Sequence, residues 1–177
     1  MSKIVILAGS PRRGGNSDLL TEAFARRAAR ENEVKIIRVA DLSIAPCRGC
    51  NACFGEGNRC VQRDDMESVI EELRDADVLG IASPVYFYGI SAQIAAAIHR
   101  LHNPVRDTFH IKKAFLLLAA ASRREQVCEP IRLQYTLLTE HFGIENLGIV
   151  AAQGVKEPGD AAAAGYTVEA EALAAKI

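Results

Sequence analysis

Apolar residues along this chain concentrate in five short segments, separated by stretches in which they recur with helical spacing. The segments lie at 4–8, 34–39, 77–82, 114–121 and 145–152. Each predicts a strand, and the continuous apolar run at 4–8 predicts one buried on both faces of a parallel sheet. Between the segments, Leu20, Phe24 and Ala28 share one helical face, as do Met66, Val69, Ile70 and Leu73, and then Ile94, Ile98 and Leu101. The spacing predicts helices from a Ser17 or Asp18 cap to about 30, from an Asp64-x-x-Glu67 capping box onward, over 91–102, over about 124–142, and over 167–176. Ser83-Pro84 should end the third strand, because proline cannot donate to a central ladder. Residues 41–60 and 157–165 read as irregular.

Strand and helix alternate throughout, which predicts one parallel sheet with helices on both faces. The expected fold class is α/β, a flavodoxin-like doubly wound five-stranded sheet of order 2-1-3-4-5 in three layers. Neither an internal repeat nor a linker breaks the pattern, so residues 1–177 are expected to form a single domain, with a cysteine-rich loop at about 46–60. Such sheets bind ligands beyond the carboxyl ends of their strands. The loops at 9–17, 83–91 and 121–125 should converge there.

Composition narrows the function. The 177 residues are 49% hydrophobic and 24% charged, with a net charge of −1, which excludes a disordered chain. A nucleic-acid module would usually be basic, so no nucleic-acid partner is expected. The apolar runs are too short for a signal peptide or a membrane span, so no membrane partner and a cytoplasmic address are expected. Five cysteines are present, and Cys47, Cys50, Cys53 and Cys60 fall within one short stretch. In a reducing compartment such clustering points to metal binding or redox chemistry rather than disulfides. Cys128 stands alone at a helix start and reads as an ordinary buried thiol. His99, His102, His110 and His141 show no metal spacing with carboxylates.

Two segments carry chemistry. The first, Gly9-Ser10-Pro11-Arg12-Arg13-Gly14-Gly15-Asn16-Ser17, joins a buried strand to a helix start, where free N–H groups and the helix dipole favour an anion. It lacks both the Gly-Lys-Ser/Thr of a P-loop and the dinucleotide glycine fingerprint, which makes a phosphate monoester the natural ligand. The alternative is a polar connection that binds nothing. The second segment, Cys47-x2-Cys50-x2-Cys53-x6-Cys60, offers four thiolates from one loop, enough for one per iron of a cubane cluster. Arg48, Arg59 and Arg63 could offset the cluster's negative charge. Zinc is the competing metal, although its usual C-x2-C pairs lie further apart.

Gly9-Ser10-Pro11-Arg12 with Asn16-Ser17, and Ser83-Pro84-Val85-Tyr86-Phe87 followed by Ala92-Gln93, resemble the two flavin loops of the NAD(P)H-dependent FMN reductase superfamily. Pro46-Cys47-x-x-Cys50-x-x-Cys53 with Cys60 and Asp64-Asp65-Met66 resembles its iron–sulfur flavoprotein branch. The match covers about residues 4–100, with Gly154-Val155 and Gly159-Asp160 near the end. The resemblance implies FMN, with its phosphate on Ser10, Arg12, Asn16 and Ser17. The ring and ribityl chain would lie against Pro84, Val85, Tyr86, Phe87 and Gly89 and the turn at Ser122. It also implies a [4Fe–4S] cluster on Cys47, Cys50, Cys53 and Cys60, and an assembly of two or four copies. Electrons would come from NAD(P)H or ferredoxin and leave to a quinone, a flavin or oxygen. A flavodoxin-like carrier without turnover, or a reductase whose cysteines hold no cluster, are the alternatives. The chain departs from the pattern at Ser91, where many relatives have proline, and at Tyr88, where many have glycine. The turn at 121–125, often glycine-rich, here reads Ala-Ser-Arg-Arg-Glu. These departures bear on nicotinamide access and on the far face of the ring.

Overall fold

The computed structural model describes residues 1–177, the side chain of Glu56 excepted. Five parallel strands form one sheet: β1 (Lys3–Ala8), β2 (Glu33–Arg38), β3 (Val78–Pro84), β4 (Lys113–Ala120) and β5 (Glu145–Gln153). Their spatial order is β2-β1-β3-β4-β5, the flavodoxin-like order. The helices are α1 (Asn16–Ala28), α2 (Met66–Arg74), α3 (Ala92–Arg100), α4 (Glu129–His141), α5 (Asp160–Ala163) and α6 (Tyr166–Ala174).

The unbroken apolar run at 4–8 has a direct cause. In β1, Ile4 and Ile6 enter a core with Leu20 and Phe24 of α1 and Leu173 of α6. Val5 and Leu7 enter a second core with residues of α2, α3 and α4, among them Val69, Ile94 and Ile131. Successive side chains thus bury on opposite faces, and neither face tolerates a polar residue. Phe24 stacks on Phe115 with ring centroids 3.8 Å apart. Gly80 makes room for that stack, since a Cβ there would lie 2.3 Å from Phe115 Cζ.

Local expectations fail at four places. β3 runs through Ser83 to Pro84, which pairs in register with Ala119. The Ala82 carbonyl faces Gly9 on the β1 side and the Val85 N–H faces Ala119 on the β4 side, so position 84 faces β1, where that strand has already ended. Proline therefore loses no ladder bond there. Helix α1 starts earlier than a Ser17 or Asp18 cap would place it, with Gly15 at the cap position, because the Asp18 carboxylate turns back to the Gly14 N–H. Asp64 makes no reciprocal box with Glu67, since its carboxylate is drawn to Arg100 and to the Ala45 and Met66 N–H groups. Within the stretch read as a loop at 157–165, α5 forms one short helix, and the Asp160 carboxylate accepts the N–H groups of Lys156 and Glu157 just before it. Among the described residues, no helix is long and apolar enough to cross a membrane.

Candidate functional site

Gly9 leaves β1 with its N–H still bound to the Ala82 carbonyl at 2.9 Å. A Cβ at Gly9 would lie 2.0 Å from Ile94 Cγ1 and 2.6 Å from Ser91 Oγ, so the first loop passes directly against the start of α3. The Ser10 hydroxyl donates to the Arg12 carbonyl at 2.9 Å and accepts the Arg12 N–H at 3.2 Å. Gly14 takes the left-handed region at φ +66 and turns the chain into α1. The first bond of α1 runs from Leu19 N to the Gly15 carbonyl, leaving the N–H groups of Asn16, Ser17 and Asp18 without partners in the helix. Ser17 is buried in this first turn, while Arg12 is exposed, with its guanidinium 3.4 Å from the Lys156 carbonyl. The Asn16 amide is used at both ends, donating to the Glu157 carbonyl and accepting the Ala161 N–H. Its backbone N–H has no partner within the helix. Arg13 pairs with Asp41 at 2.7 Å.

The second loop closes at its base through Ser83, whose hydroxyl donates to the Pro84 carbonyl and accepts the Ser91 N–H. Ser91 caps α3, accepting the Ile94 N–H at 3.4 Å. Pro84 is buried and Val85 half-buried. Beyond them, Tyr86 and Gly89 exchange two backbone bonds of 2.9 Å each around Phe87 at φ +52 and Tyr88 at φ +67. This is the backbone of a two-residue type I′ hairpin, which normally demands Asn-Gly. Here two aromatics occupy it. Phe87 is fully exposed at 103%, and Tyr86 and Tyr88 are about half exposed.

At the third loop, Ser122 Oγ accepts the Arg124 N–H at 3.2 Å, and the Ser122 carbonyl accepts the Gly154 N–H at 3.1 Å. The Arg123 stem rests on Gly154, where a Cβ would lie 2.8 Å from Arg123 Cγ. β5 thus adds a fourth loop at 154–160 to the same edge of the sheet, tied to the first loop through Arg12 and Asn16. Its only outward trace in the sequence is the pair Gly154-Val155 and Gly159-Asp160.

The cysteine loop lies beside α3. Cys47 and Cys50 are exposed, Cys53 and Cys60 are partly buried, and all four are free thiols. Gly49, Asn51, Gly57 and Asn58 take positive φ and fold the loop back on itself. Burial pushes the Cys53 thiol up, and Cys60, Cys47 and Cys50 are near enough to push it the same way. Arg100, only 4% exposed, holds the base of the loop. Its Nη1 donates to the Ala45 carbonyl at 3.0 Å and to Asp64 Oδ2 at 2.6 Å, and Asp64 and Cys60 both favour its charged form. Burial alone would raise Asp64, but Arg100 and the two backbone N–H groups hold it below the usual carboxylate value. Arg63, a cation expected to offset cluster charge, lies 3.7 Å from Glu67. Arg100 escaped sequence reading because a cation on a helix otherwise rich in apolar residues gives no sign of being buried. Cys128 is buried, and burial pushes its thiol up. Among the described residues, no three His, Cys, Asp or Glu side chains are gathered into a metal-binding group.

A separate cavity of about 690 Å³ lies between the ends of α3 and α4, lined by Leu79, Ile98, His102, Tyr135 and Ile144 among others. It sits toward the amino ends of the strands, away from the loops.

Residues 2–141 match the family described as NADPH-dependent FMN reductase. The chain belongs to that family. It is 37% identical over 111 residues to an iron–sulfur flavoprotein of Methanocaldococcus jannaschii, covering 62% of this chain and 56% of the relative. An iron–sulfur flavoprotein of Methanosarcina thermophila is 35% identical over 112 residues, covering 62% of this chain and 58% of the relative. The chain spans little more than half the length of these curated relatives. Among solved structures, NAD(P)H:quinone oxidoreductase from Methanothermobacter marburgensis aligns at TM-score 0.73 and 15% identity, covering 98% of this chain and 95% of that one. An FMN-dependent NADH-azoreductase from Bacillus anthracis, in complex with FMN, aligns at TM-score 0.70 and 15% identity over 99% of both chains. At these identities the likeness is one of fold. The FMN reductase family matches through β1, β3 and β4, the strands from which the first three loops emerge.

Proposed function

We propose that this protein is an FMN-dependent oxidoreductase whose flavin lies across the carboxyl ends of β1, β3 and β4. The observation that carries the reading is the start of α1, where three N–H groups without helical partners follow the Gly14 turn of a loop whose first residue, Gly9, is pressed against α3. That arrangement suits a phosphate monoester. Arg12 and Ser17 would add charge and a hydroxyl, Ser10 would hold the turn's shape, and Asn16 would latch the loop to 157–161 while presenting its N–H. Pro84, Val85 and Gly89 would offer a flat edge of backbone to the ring. Tyr86 and Phe87 would cover it with aromatic surface, and Ser122 would border it from the third loop. FMN itself supplies the hydride and electron chemistry. The chain's part is to hold it and shape access to it.

The cysteine loop fits a [4Fe–4S] cluster by its donor chemistry. Cys47, Cys50, Cys53 and Cys60 would be the ligands, and Arg100 would place a fixed cation beside Cys60. The sulfurs would close further around a metal than they stand here. NAD(P)H or ferredoxin would be the donor and a quinone, flavin or oxygen the acceptor, in a cytoplasmic assembly of two or four copies.

The test is anaerobic purification, followed by assay of flavin, iron and acid-labile sulfide per chain and of NAD(P)H oxidation with a quinone. One FMN per chain with steady NAD(P)H oxidation is expected, together with iron and sulfide. Flavin reduced by ferredoxin alone would replace the enzyme with an electron carrier. Yellow protein without iron would remove the cluster and leave the reductase.

A further inference from the structure

The first loop is held from its outer side by a chain of ion pairs that no sequence motif announces. Asp18, in the first turn of α1, is 3% exposed. Its Oδ2 accepts the Gly14 N–H at 2.9 Å and Arg38 Nη1 at 2.9 Å. Arg38 ends β2 and also donates from Nη2 to the Ser10 carbonyl at 3.4 Å. Its Nε stands 3.4 Å from Asp41 Oδ2, which Arg13 meets at 2.7 Å. One ion pair thus grips the turn at both ends, at the Ser10 carbonyl and the Gly14 N–H.

A buried carboxylate at a helix start opposes the binding of an anion there, because like charges repel strongly where water is excluded. Arg38 cancels that charge in place. In return, Asp18 accepts the Gly14 N–H and braces the left-handed turn that leads into the N–H groups left free at the start of α1. The pair spends one donor of the loop to set the others.

We infer that Asp18 and Arg38 are positioning residues that pre-set this loop for a phosphate monoester and so create a preference for FMN over the same flavin without its phosphate. The inference rests on the proposed FMN site. Neither side chain need touch the flavin.

The experiment titrates the flavin-free protein with FMN and with riboflavin, following flavin fluorescence. Arg38→Met leaves Asp18 uncompensated beside the phosphate. It should weaken FMN by about tenfold or more, the scale of a lost charge-assisted bond, while riboflavin stays within about twofold. The double variant Asp18→Asn with Arg38→Met removes both charges and should recover part of the FMN affinity, which a merely structural role would not produce. Riboflavin binding reports that each variant is folded. Should Arg38→Met fail to fold, Arg38→Lys keeps the charge but loses the two-pronged grip, and it should lower the FMN-to-riboflavin preference by about threefold. An unchanged preference in a folded variant, or equal weakening of both flavins, would overturn the inference. Equal affinity of the unaltered protein for both flavins would overturn the phosphate-loop reading itself, and this outcome is visible before any variant is made.

Discussion

Replacing Phe87 by asparagine should make the flavin-free protein more stable. Phe87 and Tyr88 hold φ of +52 and +67 at the tip of a hairpin closed by two 2.9 Å bonds between Tyr86 and Gly89. A residue with a Cβ pays about 1–2 kcal/mol for the left-handed region, and asparagine tolerates it far better than phenylalanine. The usual counterweight to such strain is burial, yet the Phe87 side chain is fully exposed and has none to lose. Phe87→Asn should therefore gain about 1 kcal/mol, which for a chain of this length raises Tm by about 2–4 °C. Circular dichroism melts of the flavin-free protein measure it. The same variant should bind FMN about two- to tenfold more weakly, because the ring loses an aromatic neighbour worth about 0.5–1.5 kcal/mol. Opposite signs in the two assays would mark a strained tip kept for its ligand. A flavin-free Tm that stays level or falls would refute the reasoning, because the hairpin would then be carrying no strain.

Other perturbations report on the supports of the two loops. Gly9→Ala places a Cβ 2.0 Å from Ile94 Cγ1 and 2.6 Å from Ser91 Oγ, so the buried start of α3 must repack. A loss of about 1–3 kcal/mol is expected in thermal melts, together with weaker FMN binding. Asp64→Asn should lower Tm near neutral pH, because it removes the partner of buried Arg100. The folded state holds Asp64 below its ordinary 3.8, so this stability is complete above that value and fades as pH falls through the depressed one. Melts of the two proteins should therefore converge on acidification, and a constant gap would remove Asp64 from the account. Cys50→Ala should lose iron and sulfide while keeping bound FMN, since the phosphate loop lies elsewhere. Equal loss of flavin would join the two sites.

The fold was legible where burial on both faces leaves an unbroken apolar run. Ile4 to Leu7 feed two cores by simple alternation, and no polar residue fits either side. Boundaries were less legible because they depend on partners distant in sequence. Pro84 stays in β3 only because β1 has ended beside it, Asp18 turns from its expected cap to Gly14 and Arg38, and Asp64 divides its carboxylate between the start of α2 and Arg100. The same holds for the candidate site. Cysteine spacing and a glycine-rich loop announce their chemistry locally. The latch from Asn16 to Glu157 and Ala161, more than 140 residues along the chain, exists only once the sheet has formed. The Phe87-Tyr88 turn runs against local preference, so no propensity rule would predict it.

Hydrogen–deuterium exchange of the protein with and without FMN tests the location of the flavin most directly. Slowed exchange at 9–17, 84–89 and 121–124 is expected, with the cavity between the ends of α3 and α4 unchanged. Protection confined to the walls of that cavity, around Ile98, His102 and Tyr135, would contradict a flavin at the carboxyl edge of the sheet.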